Sequence, residues 1–192
     1  MKEKFVRDLM VPLEEYATVS ENASLYEAVI VLEKAQEDYL KVRKKSIYPH
    51  RAILVLNPQG QVIGKVSQVD AIKALEPKYQ ELISSRNMAT MATSGFSSDF
   101  LRNMFQPYGL FAKPLAFLCK KAARVKVREI MYTPDQGEFV KDDDTLDIAV
   151  HQFIMGRHHS LLVTDEKDAI VGILRLVDVF TEIATAIKAC EI

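Results

Sequence analysis

Val6-Arg-Asp-Leu-Met10 reappears as Val127-Arg-Glu-Ile-Met131, and after each copy matching segments follow in the same order. Ser24-Leu25 and Ala28 match Thr145-Leu146 and Ala149, and the apolar run Ile53-Leu-Val-Leu56 matches Leu161-Leu-Val-Thr164. Val62-Ile-Gly64 then matches Ile170-Val-Gly172, and Val69-Asp70 matches Val177-Asp178. Such a repeat implies two copies of one supersecondary unit that share apolar surface, because a unit of roughly 60 residues buries only a modest core alone.

The copies differ in length. From Met10 to Asp70 the first spans 60 positions, and from Met131 to Asp178 the second spans 47, so the first carries 13 extra residues near 34–50. These include Lys41, Arg43, Lys44 and Lys45, a local positive cluster that either folds over a cleft to hold phosphates or extends the preceding helix into solvent.

Within each copy the periodicity changes in a fixed sequence. Tyr16 to Val19 reads as a short strand, and Ser24-x-x-Glu27 as a capping box that opens a helix with Leu25, Ala28, Val29 and Leu32 on its apolar face. Two β-branched runs, Ile53 to Leu56 and Val62 to Val66, flank the turn residues Asn57-Pro-Gln-Gly60. A second helix starts near Gln68 and runs toward Leu75, where Pro77 ends or kinks it. The second copy repeats this with strands at Glu138 to Val140, Ser160 to Thr164 and Ala169 to Leu174, and helices at Thr145 to Met155 and Leu176 to Lys188.

The V-[RK]-[DE]-hydrophobic-M opening, the strand-helix-strand-strand-helix order and the Gly-hydrophobic-x-[ST]-x-x-Asp close resemble the cystathionine-beta-synthase (CBS) domain. A tandem pair of these is called a Bateman module. The resemblance covers about residues 5–75 and 126–188. It implies an α+β fold of two repeats packed with pseudo-twofold symmetry. The expected organisation is a first CBS domain over 1–75, a helical linker or insertion over 76–125 and a second CBS domain over 126–192. By the same resemblance, the cleft between the repeats holds AMP, ADP, ATP or a related adenosyl compound as a regulatory ligand, with no cofactor required.

Gly64-Lys-Val-Ser67-Gln-Val-Asp70 carries the Gly, Ser and Asp of the closing motif, with Lys65 at its hydrophobic position, and the family's roles carry to Ser67 and Asp70 as phosphate and ribose contacts. Asp70 can accept hydrogen bonds from vicinal hydroxyls, and Ser67 adds a hydroxyl beside helix N-terminal N–H groups. The same two residues also form a plain helix cap. The second copy reads Gly172-Ile-Leu-Arg175-Leu-Val-Asp178, with Arg where Ser or Thr is expected. Arg175 either reaches a phosphate across the cleft or pairs with Asp178 three residues on. The flanks of the second strand in each copy add His50 and Arg51, and His158, His159 and Ser160, as ligand-lining candidates. Histidines at a helix-to-strand turn also occur simply as loop residues.

Residues 76–125 carry Met88, Phe96, Phe100, Leu101, Tyr108, Phe111 and Phe117 among other apolar groups, too many for a solvated linker. Ser98 or Asp99 is the expected cap of one short helix there, and Pro114 to Arg124 reads as another. This stretch is expected to pack on its own module or to contribute to a homodimer.

Composition excludes other classes. Lys plus Arg total 25 against 26 for Asp plus Glu, so no global field favours nucleic acid. No apolar run approaches the ~20 residues that span a bilayer, and the charged start Met1-Lys-Glu-Lys-Phe5 is no signal peptide, so a cytoplasmic protein is expected. Cys119 and Cys190 lack metal-site spacing. No P-loop, nucleophile elbow or dinucleotide fingerprint is present, so no enzyme is expected. The function expected is ligand sensing on behalf of a separate effector protein. The alternative is a ligand-free interaction or dimerisation module acting through the central segment.

Overall fold

The computed structural model describes residues 4–41, 52–79, 82, 97–105 and 107–190. The 13-residue insertion and the Ser84-Ser85 and Thr93-Ser94-Gly95 breaks lie largely or wholly outside them. The architecture is α+β. In the first repeat, β1 (Val11–Pro12), β2 (Thr18–Ser20), α1 (Leu25–Lys41), β3 (Ala52–Leu56), β4 (Val62–Ser67) and α2 (Gln68–Lys73) follow in order. The central segment contributes α3 (Ser98–Phe105) and α4 (Leu115–Ala122). The second repeat comprises α5 (Val127–Ile130), β5 (Phe139–Lys141), α6 (Leu146–Gly156), β6 (Ser160–Thr164), β7 (Ile170–Arg175) and α7 (Leu176–Ala189).

Local chemistry accounts for most boundaries. Ser24 N donates to Glu27 Oε2 at 2.7 Å while Glu27 N donates to Ser24 Oγ at 3.3 Å, the reciprocal cap expected for α1. Asn57 Oδ1 accepts from Gln59 N and Gln61 N, and Gly60 takes φ +78°, closing the β3–β4 turn. In the second repeat Asp165 accepts in the same way from Lys167 and Ala169, and Asp168 stands at φ +60° where the first has glycine. Tyr16, expected within a strand, instead follows a 3-10 turn over Leu13–Glu15 and is buried. For α3 the capping oxygen is Ser97 Oγ, which accepts from Phe100 N at 3.2 Å, one residue before the expected Ser98.

Two sheets result, of strand order β2-β3-β4 and β1-β7-β6-β5. In each repeat the first core strand runs parallel to the second, which is antiparallel to the third, with the register shifting at Val55/Leu56 and at Val163/Thr164. The element that crosses between repeats is the entry segment. Val11 and Pro12 pair with Ile173 and Gly172 of the second repeat, and Tyr132 bridges to Lys65 of the first. The backbone bonds preceding it are equally symmetric. Val6 N and Arg7 N donate to Asp144 O and Asp142 O, and Val127 N and Arg128 N donate to Ala23 O and Glu21 O.

Packing follows this exchange. Val6 is fully buried among Val140, Ala149, Phe153 and Leu174 of the second repeat, and Val127 among Val19, Ala28, Ile53 and Val66 of the first. A third cluster, Tyr16, Leu54, Leu162 and Ile173, joins the repeats. Ala122 of α4 packs with Leu25 and Ala74, while Leu82 and Leu110 form a satellite with Tyr79, Phe100 and Phe111. Glu76 ties the central segment down by accepting from Phe111 N at 2.9 Å.

The glycines of the two closing motifs permit the crossing. A Cβ at Gly172 would lie 2.6 Å from Val11 O, and one at Gly64 would lie 2.8 Å from Tyr132 O. Gly172→Ala is therefore expected to cost about 1–3 kcal/mol through overpacking against backbone, read as a lowered urea midpoint. An unchanged midpoint would show that the entry segment does not pass there.

Candidate functional site

Each closing motif faces the entry segment of the other repeat, so two related half-sites arise. In the first, Ser67 ends β4 and caps α2: its N and Oγ both donate to Asp70 Oδ2, at 2.9 and 2.6 Å, and Asp70 N donates to Ser67 Oγ at 3.3 Å. Ser67 and Asp70 thus come together as a reciprocal cap. The other carboxylate oxygen of Asp70, Oδ1, lies 3.8 Å from Lys73 Nζ.

Lys65 shares a strand face with Ser67, two residues on. Its ammonium donates to Glu138 Oε2 at 2.6 Å and lies 4.9 Å from the centre of the Tyr132 ring. The Tyr132 hydroxyl donates to Glu138 Oε1. Glu138 is only 2% exposed. Burial opposes its charge, yet hydrogen bonds from Lys65 and Tyr132 outweigh that and hold its carboxyl below the usual range. The bond to Glu138 raises the Tyr132 phenol, helped by burial and by the nearby charges of Glu138, Asp135 and Asp70. Asp70 and this trio therefore belong to one electrostatic neighbourhood.

In the second half-site Arg175, at the N-cap of α7, makes a bidentate pair with Asp178: Nε to Oδ2 at 2.6 Å and Nη2 to Oδ1 at 2.8 Å. Arg175 and Asp178 thus join each other within the repeat. Tyr16 lies beside them, its phenol pushed up to about 12 by burial, with Arg175 opposing and Asp178 adding to the shift. Ser160 is the cross-strand partner of Arg175, and the His159 carbonyl accepts from Leu176 N at 3.0 Å. The His159 side chain is exposed. Half-buried His158 turns back over Gly156, where a Cβ would overlap the imidazole. His50 and Arg51 lie outside the described residues, next to Ala52, the cross-strand partner of Ser67.

Lys65, Tyr132, Glu138 and Tyr16 were missed as site residues by sequence reasoning. A signal existed for two of them. Lys65 stands where the second copy has Ile173, and Glu138 where the first has Ala17, so opposite charges interrupt apolar positions at places related by the repeat.

A shallow open depression of about 500 Å³ beside Phe139, Lys141 and Asp168 contains no residue of either closing motif. Among the described residues no group of three or more His, Cys, Asp or Glu is placed to hold a metal, and no helix is long and apolar enough to cross a membrane.

A family model described as the CBS domain matches residues 6–77 and 127–185, and the chain belongs to that family. Solved structures share the fold. A CBS domain-containing protein of unknown function from Bacillus anthracis str. Ames Ancestor superposes with a TM-score of 0.60 at 18% identity, covering 95% of this chain and 94% of that one. CBSX2 in complex with AMP matches with a TM-score of 0.54 at 18% identity over 96% and 98% of the two chains. The CBS domain of the bacterial CNNM/CorC family Mg2+ transporter in complex with ATP gives 0.54 at 14% identity over 94% and 87%. No curated protein matches the chain.

Two pH effects follow from the site. Because burial pushes the Tyr16 phenol up to about 12, above the ordinary phenol range near 10, its contribution is complete below about pH 10 and is lost as pH rises toward 12. A two-unit shift is worth about 2–3 kcal/mol. Tyr16→Phe should flatten this alkaline fall in unfolding free energy. Glu138 is shifted the other way, so its contribution is present at neutral pH and disappears as pH falls through the carboxylate range. Glu138→Gln is expected to cost about 1–3 kcal/mol at neutral pH, with the gap to wild type closing below about pH 4 in the same denaturation series.

Proposed function

We propose that this chain is a regulatory module that senses an adenine nucleotide in the cleft between its repeats and passes the signal to a separate effector protein in the cytoplasm. The observation that carries the reading is the Ser and Asp of the closing motif, Ser67 and Asp70, set at a helix start against the entry segment of the other repeat. The AMP- and ATP-bound proteins of the same fold support the ligand class. Asp70 would take ribose hydroxyls and Ser67 a phosphate. His50, Arg51, His158, His159 and Ser160, flanking the second strand of each repeat, would line the cleft, with Arg175 and Asp178 as the related pair. In this reading the chain catalyses nothing and needs no cofactor, and ligand acts by favouring one relative arrangement of the repeats or of paired chains.

A homodimer is part of the proposal. Leu176, Phe180, Ile183 and Ile187 recur on one face of α7 and are all exposed, which suits pairing with a second copy. The second reading is an assembly module with an empty cleft, favoured by exposed Leu101, Tyr108, Leu115 and Phe117 in the central segment.

Isothermal titration with AMP, ADP and ATP decides between them. Saturable binding that Asp70→Ala weakens about tenfold or more is the expected result. Silence with all three would leave the assembly reading.

A further inference from the structure

We propose that the two half-sites are not equivalent: each chain takes up a single nucleotide, at Ser67 and Asp70, while Arg175 and Asp178 form a closed structural pair. This inference rests on the nucleotide reading above.

The two aspartates are committed differently. Asp70 gives Oδ2 to the cap, and among the described residues its Oδ1 meets only Lys73 Nζ, at 3.8 Å, beyond hydrogen-bond range. That oxygen is available to a vicinal diol. Asp178 gives both oxygens to one planar guanidinium, at 2.6 and 2.8 Å, and the two side chains are 8% and 14% exposed. A ribose at Asp178 would first have to break this pair, which costs about a hundredfold or more in affinity.

The walls differ in the same sense. The repeat relates Lys65, Tyr132 and Glu138 to Ile173, Val11 and Ala17. The first cleft therefore has an ammonium, whose side chain is 21% exposed, on the strand leading to Ser67. At the matching place the second has hydrocarbon, with Ile173 and Tyr16 in one buried cluster. Both cations are paired, but Lys65 gives a single N–H to Glu138 whereas Arg175 is held by Asp178 through both Nε and Nη2. An uncommitted carboxylate oxygen for a diol, and an ammonium with two N–H groups beyond the one given to Glu138, stand on the first side only.

Titration stoichiometry with ATP and AMP tests this, using wild type, Asp70→Asn and Arg175→Ser, the last restoring the family's Ser or Thr. One equivalent per wild-type chain, none in Asp70→Asn at the same concentrations, and a second equivalent in Arg175→Ser are expected. Two equivalents in wild type, or one retained in Asp70→Asn, would overturn the proposal. So would an Arg175→Ser protein of wild-type circular dichroism that binds no additional equivalent. If Arg175→Ser does not fold, the wild-type and Asp70→Asn stoichiometries still decide. Silence in wild type with one site gained in Arg175→Ser would overturn the sensor reading of the native chain and support the closure. Silence in both would overturn both.

Discussion

The passage of each entry segment across a glycine of the other repeat is the constraint on which the rest of the structure depends. Lys65 and Tyr132 exchange both backbone hydrogen bonds at 2.9 Å, and Val11 and Pro12 pair with Ile173 and Gly172 in the same relation. Side-chain-free positions at 64 and 172 let the backbones approach that closely. The exchange inserts Val6 and Val127 into each other's cores. Neither repeat has a complete core without the other, so the pair is the physical unit of folding.

The same crossing builds the half-sites. A strand end carrying the closing motif meets a segment from the opposite repeat, and the pseudo-twofold does this twice with one backbone design. Side chains then break the symmetry. At one junction a buried carboxylate is held by Lys65 and Tyr132, which join the repeats through charge. At the other, Tyr16 and Ile173 join them through apolar contact, and the charge pair stays within one repeat. A buried ion pair adds little net stability over a hydrocarbon equivalent. What it adds here is an orientation requirement, because Glu138 is satisfied only when both Lys65 and Tyr132 are in place.

Much of the fold was legible beforehand. The strand and helix order of both repeats, the Ser24 cap, the Asn57 to Gly60 turn and the α+β class all come from local patterns that tertiary context did not override. Where expectation and structure part, a long-range partner is the cause. Tyr16 has the side chain of a strand residue but is drawn into the cluster between the repeats, and the short strand starts at Thr18 instead. For the site, the closing motif pointed to Ser67 and Asp70, and the structure brings them together as a cap. The Lys65, Glu138 and Tyr132 trio was out of reach because Lys65 and Glu138 are 73 positions apart.

The sequence by itself determined that two copies of one unit must pack together, that Ser24 and Glu27 cap α1, that Asn57 to Gly60 turns the chain and which positions face a core, because capping, turn chemistry and periodicity act over a few neighbouring residues. It left two roles open for Arg175. Only the tertiary structure decided that its guanidinium lies against Asp178 and that Lys65 crosses to Glu138. The Arg175 pairing is one of two options its local spacing allows, and the Lys65 crossing depends on charges that folding brings together from 73 positions apart, which no local pattern encodes.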